Sequence, residues 1–337
     1  MDIRLLDSND MQEAKALWKS AFGDSDAFID TYFENKISQG SSLGMFDKGL
    51  SCVVHMLPYR IRVQGKDMMS SFIAGAATAQ DKRKRGLMRT MLYESLKLMK
   101  ERGILMTHLY PFKHSFYEQF SWVTYTYVNK SVITTGKQAN VIQTQDVGLL
   151  SELYQNMMKE YDGYVLRSEK EWEWRLSELF CDGGKAAVLI EENKPAAYML
   201  YFDENSKAEA IEMVFTDEEK ARRLAQHLAL EFDEVRYNTP TQDIAKAPHG
   251  MARVVNAAEL LEEFGATELL DATQIVDIFA PWNNIGSGMQ SMDVSELAKT
   301  VHRGVGASLC KENVHNSQYN ILKEKFIARE TCIFEEY

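Results

Sequence analysis

Hydrophobic residues in the first third of the chain recur first with the spacing of a helix and then with that of strands. The segment from Asp10 to Phe22 places apolar residues three and four positions apart, which predicts an amphipathic helix. Short β-rich runs separated by turns follow over residues 43–78 and predict strands. A long helix is predicted from about Gly86 to Glu101, ended by Gly103, and a buried strand from Ile104 to Leu109. The order strand, helix, strand predicts a right-handed parallel crossover here.

The same order of helices, strand meander and helix recurs in looser form after residue 131, although the sequence itself does not repeat. Helices are predicted over residues 147–159 and 169–180, and three strands between residues 186 and 214. A further amphipathic helix is predicted over residues 218–230. The pattern therefore indicates a second unit built like the first.

A third unit is predicted to begin at the apolar run from Gly250 to Val255, which follows a polar stretch. The fold class predicted for the chain is α/β (α+β), with two tandem mixed-sheet domains followed by a small α+β domain. The predicted domains are residues 1–131, residues 132–249 and residues 250–337.

Composition narrows the possible functions. The 337 residues are 45 % hydrophobic and 26 % charged, which is typical of a globular protein with a large core. The formal net charge of −11 argues against nucleic acid as the main partner and favours small or cationic partners. No apolar run is long enough to span a bilayer, and the first residues do not resemble a signal peptide, so we expect no membrane partner.

Cysteine and histidine are scattered along the sequence. No Cys-x-x-Cys pair occurs, so we expect free thiols in a reducing cytoplasm. No closely spaced histidine pair occurs either, so no metal site is predicted. The four cysteines are Cys52, Cys181, Cys310 and Cys332.

The stretch SFIAGAATAQDKRKRGLMRTM, from Ser71 to Met91, carries the most chemical information. A run of small residues leads into a basic, glycine-containing loop that opens a helix. Such a loop offers unpaired backbone N–H groups and the positive end of a helix dipole, which suit a pyrophosphate. The alternative is a solvated basic turn, but cations at a helix start are electrostatically unfavourable without an anion. The basic residues are Lys82, Arg83, Lys84, Arg85 and Arg89.

The motif from Arg83 to Met88 resembles the Arg/Gln-x-x-Gly-x-Gly/Ala signature of GNAT acetyltransferases, with Met88 in place of the final small residue. The form Arg-x-Arg-Gly-Leu-Met-Arg is similar to the Eis-type (enhanced intracellular survival) branch. A second block, from Tyr110 to Phe120, resembles the Tyr-x-x-Phe element of that branch. The order of domains is also similar, with two GNAT-like domains and a C-terminal domain like sterol carrier proteins.

The resemblance implies acetyl-CoA as cofactor and assigns residues to it. Strand residues should pair with the pantetheine amides, the loop should hold the pyrophosphate, and an aromatic–basic pair should make further cofactor contacts. The strand residues are Ala76, Ala77 and Thr78; the loop residues are Lys84, Arg85, Gly86, Leu87, Met88 and Arg89; the pair is Phe112 and Lys113.

The resemblance also implies the catalytic groups. Tyr117 matches a general acid that protonates the departing thiolate, although it could instead be one more packing tyrosine. The terminal carboxylate of Tyr337 matches a general base, and Glu336 matches an acid that faces substrate, although an aromatic terminus could merely dock on the surface. Asp24 and Asp26 either add negative charge to an amine-binding cleft or cap a helix.

The expected reaction is acetyl transfer to a primary amine of a cationic small molecule, aminoglycoside- or polyamine-like, or to a lysine side chain. The resemblance further implies a homo-oligomer, with a hexamer expected. A rival hypothesis is a non-catalytic acyl-CoA- or lipid-binding or regulatory protein that uses the C-terminal domain. The second unit lacks an Arg-x-x-Gly loop, so we predict that it does not bind CoA.

Overall fold

The computed structural model describes residues 1–37, 40–304 and 316–334. Cys310, Glu336 and Tyr337 lie outside the described residues. None of the described helices is long and apolar enough to cross a membrane.

Strands and helices are distributed along the whole described chain, with runs of consecutive strands between the helices. The strands are β1 (Asp2–Leu5), β2 (Ser42–Phe46), β3 (Leu50–Val63), β4 (Lys66–Thr78), β5 (Met106–Leu109), β6 (Val123–Thr124), β7 (Tyr127–Ile133), β8 (Val141–Gln143), β9 (Tyr161–Asp162), β10 (Tyr164–Val165), β11 (Lys185–Glu191), β12 (Lys194–Asp203), β13 (Lys207–Phe215), β14 (Glu234–Thr241), β15 (Ala247–Pro248), β16 (Met251–Val254), β17 (Thr273–Val276), β18 (Gln290–Asp293) and β19 (Glu330–Thr331). The helices are α1 (Met11–Phe22), α2 (Asp26–Lys36), α3 (Leu87–Glu101), α4 (His114–Glu118), α5 (Val147–Met158), α6 (Glu169–Cys181), α7 (Glu218–Leu228), α8 (Ala257–Glu263), α9 (Leu269–Ala272), α10 (Val294–Arg303) and α11 (Asn316–Lys325).

The first sheet has the order β1-β2-β3-β4-β5-β16-β6, with β10 added beside β3. Strands β1 to β4 pair antiparallel with their neighbours, whereas β4 and β5 are parallel and are joined by α3. The predicted strand–helix–strand crossover is therefore present. Helix α3 buries an apolar face that includes Met91 and Leu96 and ends just before Gly103, as its spacing predicts.

The second sheet has the order β15-β7-β14-β13-β12-β11-β8. Its strands β11 to β13 are antiparallel, and α7 then leads to β14, which is parallel to β13. The two sheets thus share one plan of a meander followed by a helical crossover, and the predicted class of two tandem mixed-sheet units is confirmed.

The two sheets and the third unit are interlocked by strands that cross between them. Strand β16, which opens the predicted third unit, lies between β5 and β6 in the first sheet. Strand β7 contains the predicted boundary after residue 131 and pairs along its length with β14. Each sheet is therefore completed by a strand from another part of the chain, which ties the units together.

The rest of the third unit packs on the first sheet. It consists of α8, α9, the parallel pair β17–β18 and α10, with α11 after the undescribed gap. One apolar core joins Leu57 and Phe72 of the first sheet to Leu260 and Val301 of this unit. A separate core lies around the second sheet. The likeness of this unit to sterol carrier proteins stays a prediction.

The described end of the chain lies between the two sheets. Strand β19 pairs with β9, and the residues after it alternate between the two cores. Ile333 belongs to the first core, while Cys332 and Phe334 belong to the second. The Thr331 hydroxyl donates to the carbonyl of Tyr125 at 2.6 Å. The segment Glu330–Phe334, here called the tail, thus packs against the core of the first sheet on one side and against the core of the second sheet on the other.

Candidate active site

A wedge opens in the first sheet between β4 and β5. These two strands pair only from Ser71 to Ile73, while β4 continues to Thr78. On its other edge β4 stays paired with β3, but the register shifts in a bulge around Gly75. Gly75 has φ +52°, and a Cβ there would collide with the ring of Trp18. The backbone edge of residues 74–78 is therefore free of β5 and available to an extended ligand.

The basic loop leads from this wedge to the start of α3. Gly86 caps the helix in the left-handed conformation, φ +76°, and no side chain caps it. The first intrahelical bond is donated by Thr90 to Gly86, so the backbone N–H groups of residues 87–89 have no helical partner. No acidic residue lies in the first turn of α3. This arrangement suits an anion.

The basic side chains of the loop divide into two groups. Lys82 hydrogen-bonds to Ser51 at 2.8 Å, Arg83 to the Thr78 carbonyl at 3.1 Å, and Arg85 to the Asp81 carbonyl at 3.2 Å. These three therefore shape the loop itself. Lys84, at φ +63°, and Arg89 are exposed and are better placed to meet a phosphate.

Tyr117 lies on α4 close to the wedge. The same apolar cluster contains Tyr117, Leu87, Met88 and Ala76, so the predicted acid and three predicted cofactor residues come together. Burial raises the pKa of the Tyr117 phenol above its ordinary value, which keeps it protonated at neutral pH. Its ring meets that of Phe112 at 5.8 Å between centroids.

The other predicted cofactor residues have different surroundings. Phe112 is 74 % exposed, which is unusual for phenylalanine and leaves its face available to a ligand. Lys113 is exposed at the start of α4. Ala77 instead faces the opposite core, and Thr78 lies at the end of β4 beside Cys52, with 3.2 Å between its hydroxyl and the thiol.

A cleft rich in carboxylates lies between α1, α2 and the second sheet. Its volume is about 340 Å³, and it contains one basic residue, Arg175. The acidic residues that line it are Asp24, Glu178, Asp182, Asp203, Glu204 and Glu209. Oε2 of Glu178 accepts a hydrogen bond from Lys36 at 2.7 Å, whereas its Oε1 is buried with no hydrogen-bond partner. The cleft, here called the acidic cleft, therefore has unused acceptor capacity for a cation.

Trp18 links the acidic cleft to the wedge. Its indole Nε1–H donates to Asp24 at 2.7 Å, and the other end of the same indole packs on Gly75 of β4. Only the width of one indole thus separates a carboxylate of the cleft from the wedge. Asp24 lines the cleft, and its part in binding an amine stays a prediction. Asp26 is exposed and pairs with Lys19 at 2.5 Å, while Ser25 is the residue that caps α2.

The tail reaches the acidic cleft through Arg175. Arg175 donates to the carbonyl of Phe334 at 3.2 Å and to Glu212 at 3.3 Å. Ile333 and Phe334 are 3 % and 8 % exposed, so both side chains at the end of the described residues are buried. Glu336 and Tyr337, the other predicted substrate-facing and basic groups, lie outside the described residues.

The histidines near the site are structural. His108 is fully buried between Ser70 and His302, with its Nδ1 2.7 Å from Ser70 Oγ and its Nε2 3.1 Å from His302 Nε2. His114 Nε2 donates to the carbonyl of His249 at 3.0 Å. Among the described residues, no cluster of three or more His, Cys, Asp or Glu side chains is arranged to hold a metal ion.

Sequence reasoning missed most of the acidic cleft. Its residues come from α6, β12 and β13 as well as the α1–α2 loop, and no short motif connects them. The only available signal was the excess of acidic residues over the whole chain, which does not say where they meet.

Comparison with known proteins finds a family match over the first part of the chain. The family described as "Acetyltransferase (GNAT) domain" matches residues 2–124. A search of curated proteins found no match. Enzymes of this fold family use an acyl-CoA, which suits the wedge and the open start of α3.

Solved structures share the fold over the whole chain or most of it. A probable N-acyltransferase from Enterococcus faecalis V583 is 15 % identical, with a TM-score of 0.77 over 100 % of this chain and 99 % of its own. Eis1 from Mycobacterium abscessus is 16 % identical, with a TM-score of 0.69 over 100 % of both chains. N-myristoyltransferase from Saccharomyces cerevisiae, with bound myristoyl-CoA, is 9 % identical, with a TM-score of 0.52 over 74 % of this chain and 82 % of its own. Residues 2–124 thus match the acetyltransferase (GNAT) domain family, and the chain has the fold of these acyltransferase structures.

Proposed function

We propose that the protein transfers an acetyl group from acetyl-CoA to a primary amine of a cationic small molecule or a lysine side chain. The observation that carries this proposal is the acidic cleft, which lies one indole away from the wedge in the first sheet. A cleft with six carboxylates attracts an ammonium group and raises its local concentration. An aminoglycoside- or polyamine-like molecule carries several such groups.

The residues present suit acetyl-CoA. The backbone of residues 76–78 would bond the pantetheine arm, and the N–H groups at the start of α3 would bind the pyrophosphate together with Lys84 and Arg89. Phe112 and Lys113 would line the outer part of this site. When bound, acetyl-CoA supplies an acetyl thioester that an amine can attack directly.

Tyr117 is assigned as the general acid. Its phenol is protonated at neutral pH and can donate this proton to the departing sulfur once ligand binding brings the two within hydrogen-bond reach. The aromatic rings around it exclude water and hold it on α4. The proposal therefore assigns Tyr117 a chemical role rather than a packing role alone.

The carboxylate of Tyr337 is assigned as the general base, with Glu336 binding substrate. Arg175, which lines the acidic cleft, donates to the Phe334 carbonyl, and three further residues span up to about 10 Å. We propose that this length of chain brings the carboxylate to an amine in the cleft. The carboxylate would accept the proton that the amine must lose. We also propose that the protein forms a homo-oligomer, and we expect a hexamer.

The test measures thiol release from acetyl-CoA against a panel of polyamines, aminoglycosides and lysine peptides. Wild type is expected to acetylate at least one cationic amine. Tyr117→Phe and removal of Tyr337 are each expected to lower kcat by about 10²-fold or more while acetyl-CoA still binds. Asp24→Asn should instead raise KM for the amine.

Two results would count against the proposal in different ways. Binding of acetyl-CoA without acetylation of any amine would favour the rival acyl-CoA- or lipid-binding function. Full activity of both Tyr117→Phe and the chain lacking Tyr337 would preserve the reaction but refute the assigned acid and base.

A further inference from the structure

A large groove lies between the hairpin of β3 and β4 and the first half of α6. Its volume is about 680 Å³, compared with about 340 Å³ for the acidic cleft. Along β3, Pro58, Arg60 and Arg62 face the groove, whereas the residues that alternate with them are buried. Residues 154–174 of the second unit supply the opposite wall. This space, here called the basic groove, has the size of a small-molecule site.

The wall of the basic groove contains an unpaired aromatic ring. The other four tryptophans each pack against a neighbouring aromatic ring, but Trp174 has no ring–ring contact among the described residues. Instead, the ammonium group of Lys170 lies 4.8 Å from the centre of its indole ring. Met69, which also lines the groove, is 46 % exposed. The groove therefore offers apolar surface against which a flat ring can pack.

Tyr164 adds a hydrogen-bonding group that the fold does not use. The residue is only 6 % exposed, yet within the described part of the chain its hydroxyl has no hydrogen-bond partner. Tyrosine hydroxyls that are buried to this extent usually have a partner. Burial raises the pKa of the phenol, so it is protonated at neutral pH and can donate to an acceptor in the groove. The unused donor therefore suits a ligand that brings an acceptor.

The charges of the groove favour an anionic ligand. The two arginines of β3 share the carboxylate of Asp67. The two lysines of the groove, Lys159 and Lys170, have no carboxylate partner among residues 1–37, 40–304 and 316–334. Besides the buried Arg167, four cationic side chains thus line the groove together with two carboxylates, in a protein whose net charge is −11. This local excess of positive charge attracts an anion.

We propose that the basic groove binds a small molecule in which an aromatic ring carries a negatively charged group. The ring packs against Trp174 and Met69, and the anionic group accepts the hydrogen bond of Tyr164 beside the two lysines. An ionised acceptor strengthens such a hydrogen bond, so the donor and the positive charges act together. The inference goes beyond the proposed function, because none of the residues assigned there to acetyl-CoA or to the amine lines this groove.

Calorimetric titration with naphthalene-2-carboxylate tests the site. Naphthalene-2-methanol and naphthalene-2-methylamine are the neutral and cationic controls of similar shape. The carboxylate should bind at least about tenfold more tightly than either control, since only the carboxylate brings both an ionised acceptor and a negative charge. Acetate, which lacks the ring, should bind at least about tenfold more weakly than the carboxylate. 2-Naphthyl phosphate distinguishes the type of anion and should bind at least as well as the carboxylate.

Three variants of the groove separate its contributions. Tyr164→Phe should weaken binding of the carboxylate about tenfold and leave that of the amine unchanged, because it removes only the hydroxyl. Trp174→Leu should weaken binding of every naphthalene compound about tenfold. Lys159→Met should weaken binding of the carboxylate about threefold. Its matched control, Lys97→Met, removes another exposed helical lysine outside the groove and should behave like wild type.

The indole N–H signals in proton–nitrogen correlation spectra locate the bound ligand. The signal of Trp174, identified by its loss in Trp174→Leu, should shift during titration with the carboxylate, while that of Trp18 beside the acidic cleft stays in place. Tyr164→Phe keeps the ring that packs against Tyr154, so weaker binding reports the hydroxyl rather than a change of fold. Equal affinities for the three naphthalene compounds would overturn the proposal, as would wild-type affinity of Tyr164→Phe or an unshifted Trp174 signal.

Discussion

The two sheets follow the same plan but differ in the gap between their parallel strands. In the first sheet β4 and β5 separate after three residue pairs, and the edge of residues 74–78 is left free of β5. In the second sheet β13 and β14 also pair over only three residues. There, the tail lies along the separated strands and leaves a cavity of only about 20 Å³. Two sheets built on the same plan can thus differ, because one leaves the edge between its parallel strands open while the other covers it with a segment of its own chain.

The starts of the crossover helices differ in the same sense. Helix α3 follows β4 after an eight-residue loop. Its N-cap is Gly86, so no side chain caps the helix, and its first turn contains no acidic residue. Helix α7 follows β13 after two residues, is capped by Asp217, and carries Glu218 and Glu219 in its first turn. The carboxylates stabilise α7 through its dipole but repel a phosphate. The start of α7 is thus stabilised by its own acidic residues, whereas the start of α3 keeps backbone N–H groups without helical partners, which suit an anion.

The largest expected effect on stability is at the ionic cluster of the second sheet, formed by Glu212 with Arg167 and Arg175. Glu212→Gln should lower the free energy of unfolding by about 3–5 kcal/mol, because it leaves two buried guanidinium groups without their carboxylate. Urea unfolding measures the change. The control Glu234→Gln removes an exposed pair with Arg236 and should leave stability nearly unchanged. Equal effects of the two variants would contradict the structural importance of the cluster.

The next prediction compares the same substitution, phenylalanine to alanine, in the gap that the tail fills and beside the open wedge. Phe334→Ala should cost about 3 kcal/mol, because Phe334 fills the second core. Phe112→Ala, at an exposed phenylalanine of the first unit, should change stability by less than about 0.5 kcal/mol but raise KM for acetyl-CoA. Thermal unfolding and steady-state kinetics test the pair. A stable Phe334→Ala variant would show that the tail is not packed as described.

Acidification should destabilise the region of His108 and His302 at a higher pH than the region of Glu212. Burial lowers the pKa of His108 to about 3 and that of His302 well below 6.5, so both are neutral in the fold and take up protons on unfolding. Their contribution is complete above pH 6.5 and is lost as the pH falls from there toward 3, at up to about 1.4 kcal/mol per pH unit for each group. Glu212 has a lowered pKa, so its contribution is lost only below its ordinary value of 4.5.

Hydrogen exchange at pH 5.5 checks this order. Amides of β5 and α10, which carry the two histidines, should lose protection before those of β13, which carries Glu212. His302→Leu should reduce the dependence of stability on pH between 6.5 and 5. Simultaneous loss of protection in both regions would contradict the separation.

The smallest effect tests the helix starts directly. Thr90→Glu adds to the exposed first turns of α3 the type of charge that α7 carries. It should leave stability unchanged or slightly higher, yet weaken acetyl-CoA binding about tenfold, which is about 1.4 kcal/mol. Calorimetric titration beside the neutral control Thr90→Gln measures the difference. Equal affinity of the two variants would mean that the phosphates bind elsewhere.

Much of the fold and of the candidate cofactor region could be predicted from the sequence. Helix α3, strand β5 and the repeated order of elements follow from apolar spacing, which reflects which face of each element is buried. The basic loop and Gly86 are local features as well, because a left-handed cap and a run of cations are legible in consecutive residues. These signals work because their causes act over a few residues.

The acidic cleft, the ionic cluster and the insertion of β16 into the first sheet could not be predicted in this way. Arg175 meets Glu212 and Phe334 over separations of 37 and 159 residues. Strand β16 resembles any buried strand in sequence, yet it completes a sheet begun more than 200 residues earlier. Pairing partners at such distances depend on which surfaces remain uncovered after the local elements have formed.

The sequence by itself determined the elements, their repeated order and the basic, glycine-capped start of α3, because helical and strand periodicity and capping are local. Tertiary structure alone decided that the tail would fill the second gap while the first stayed open. It also decided that six carboxylates from separate elements would meet beside Trp18. Both results depend on long-range packing, which selects among contacts that the local sequence leaves equally possible.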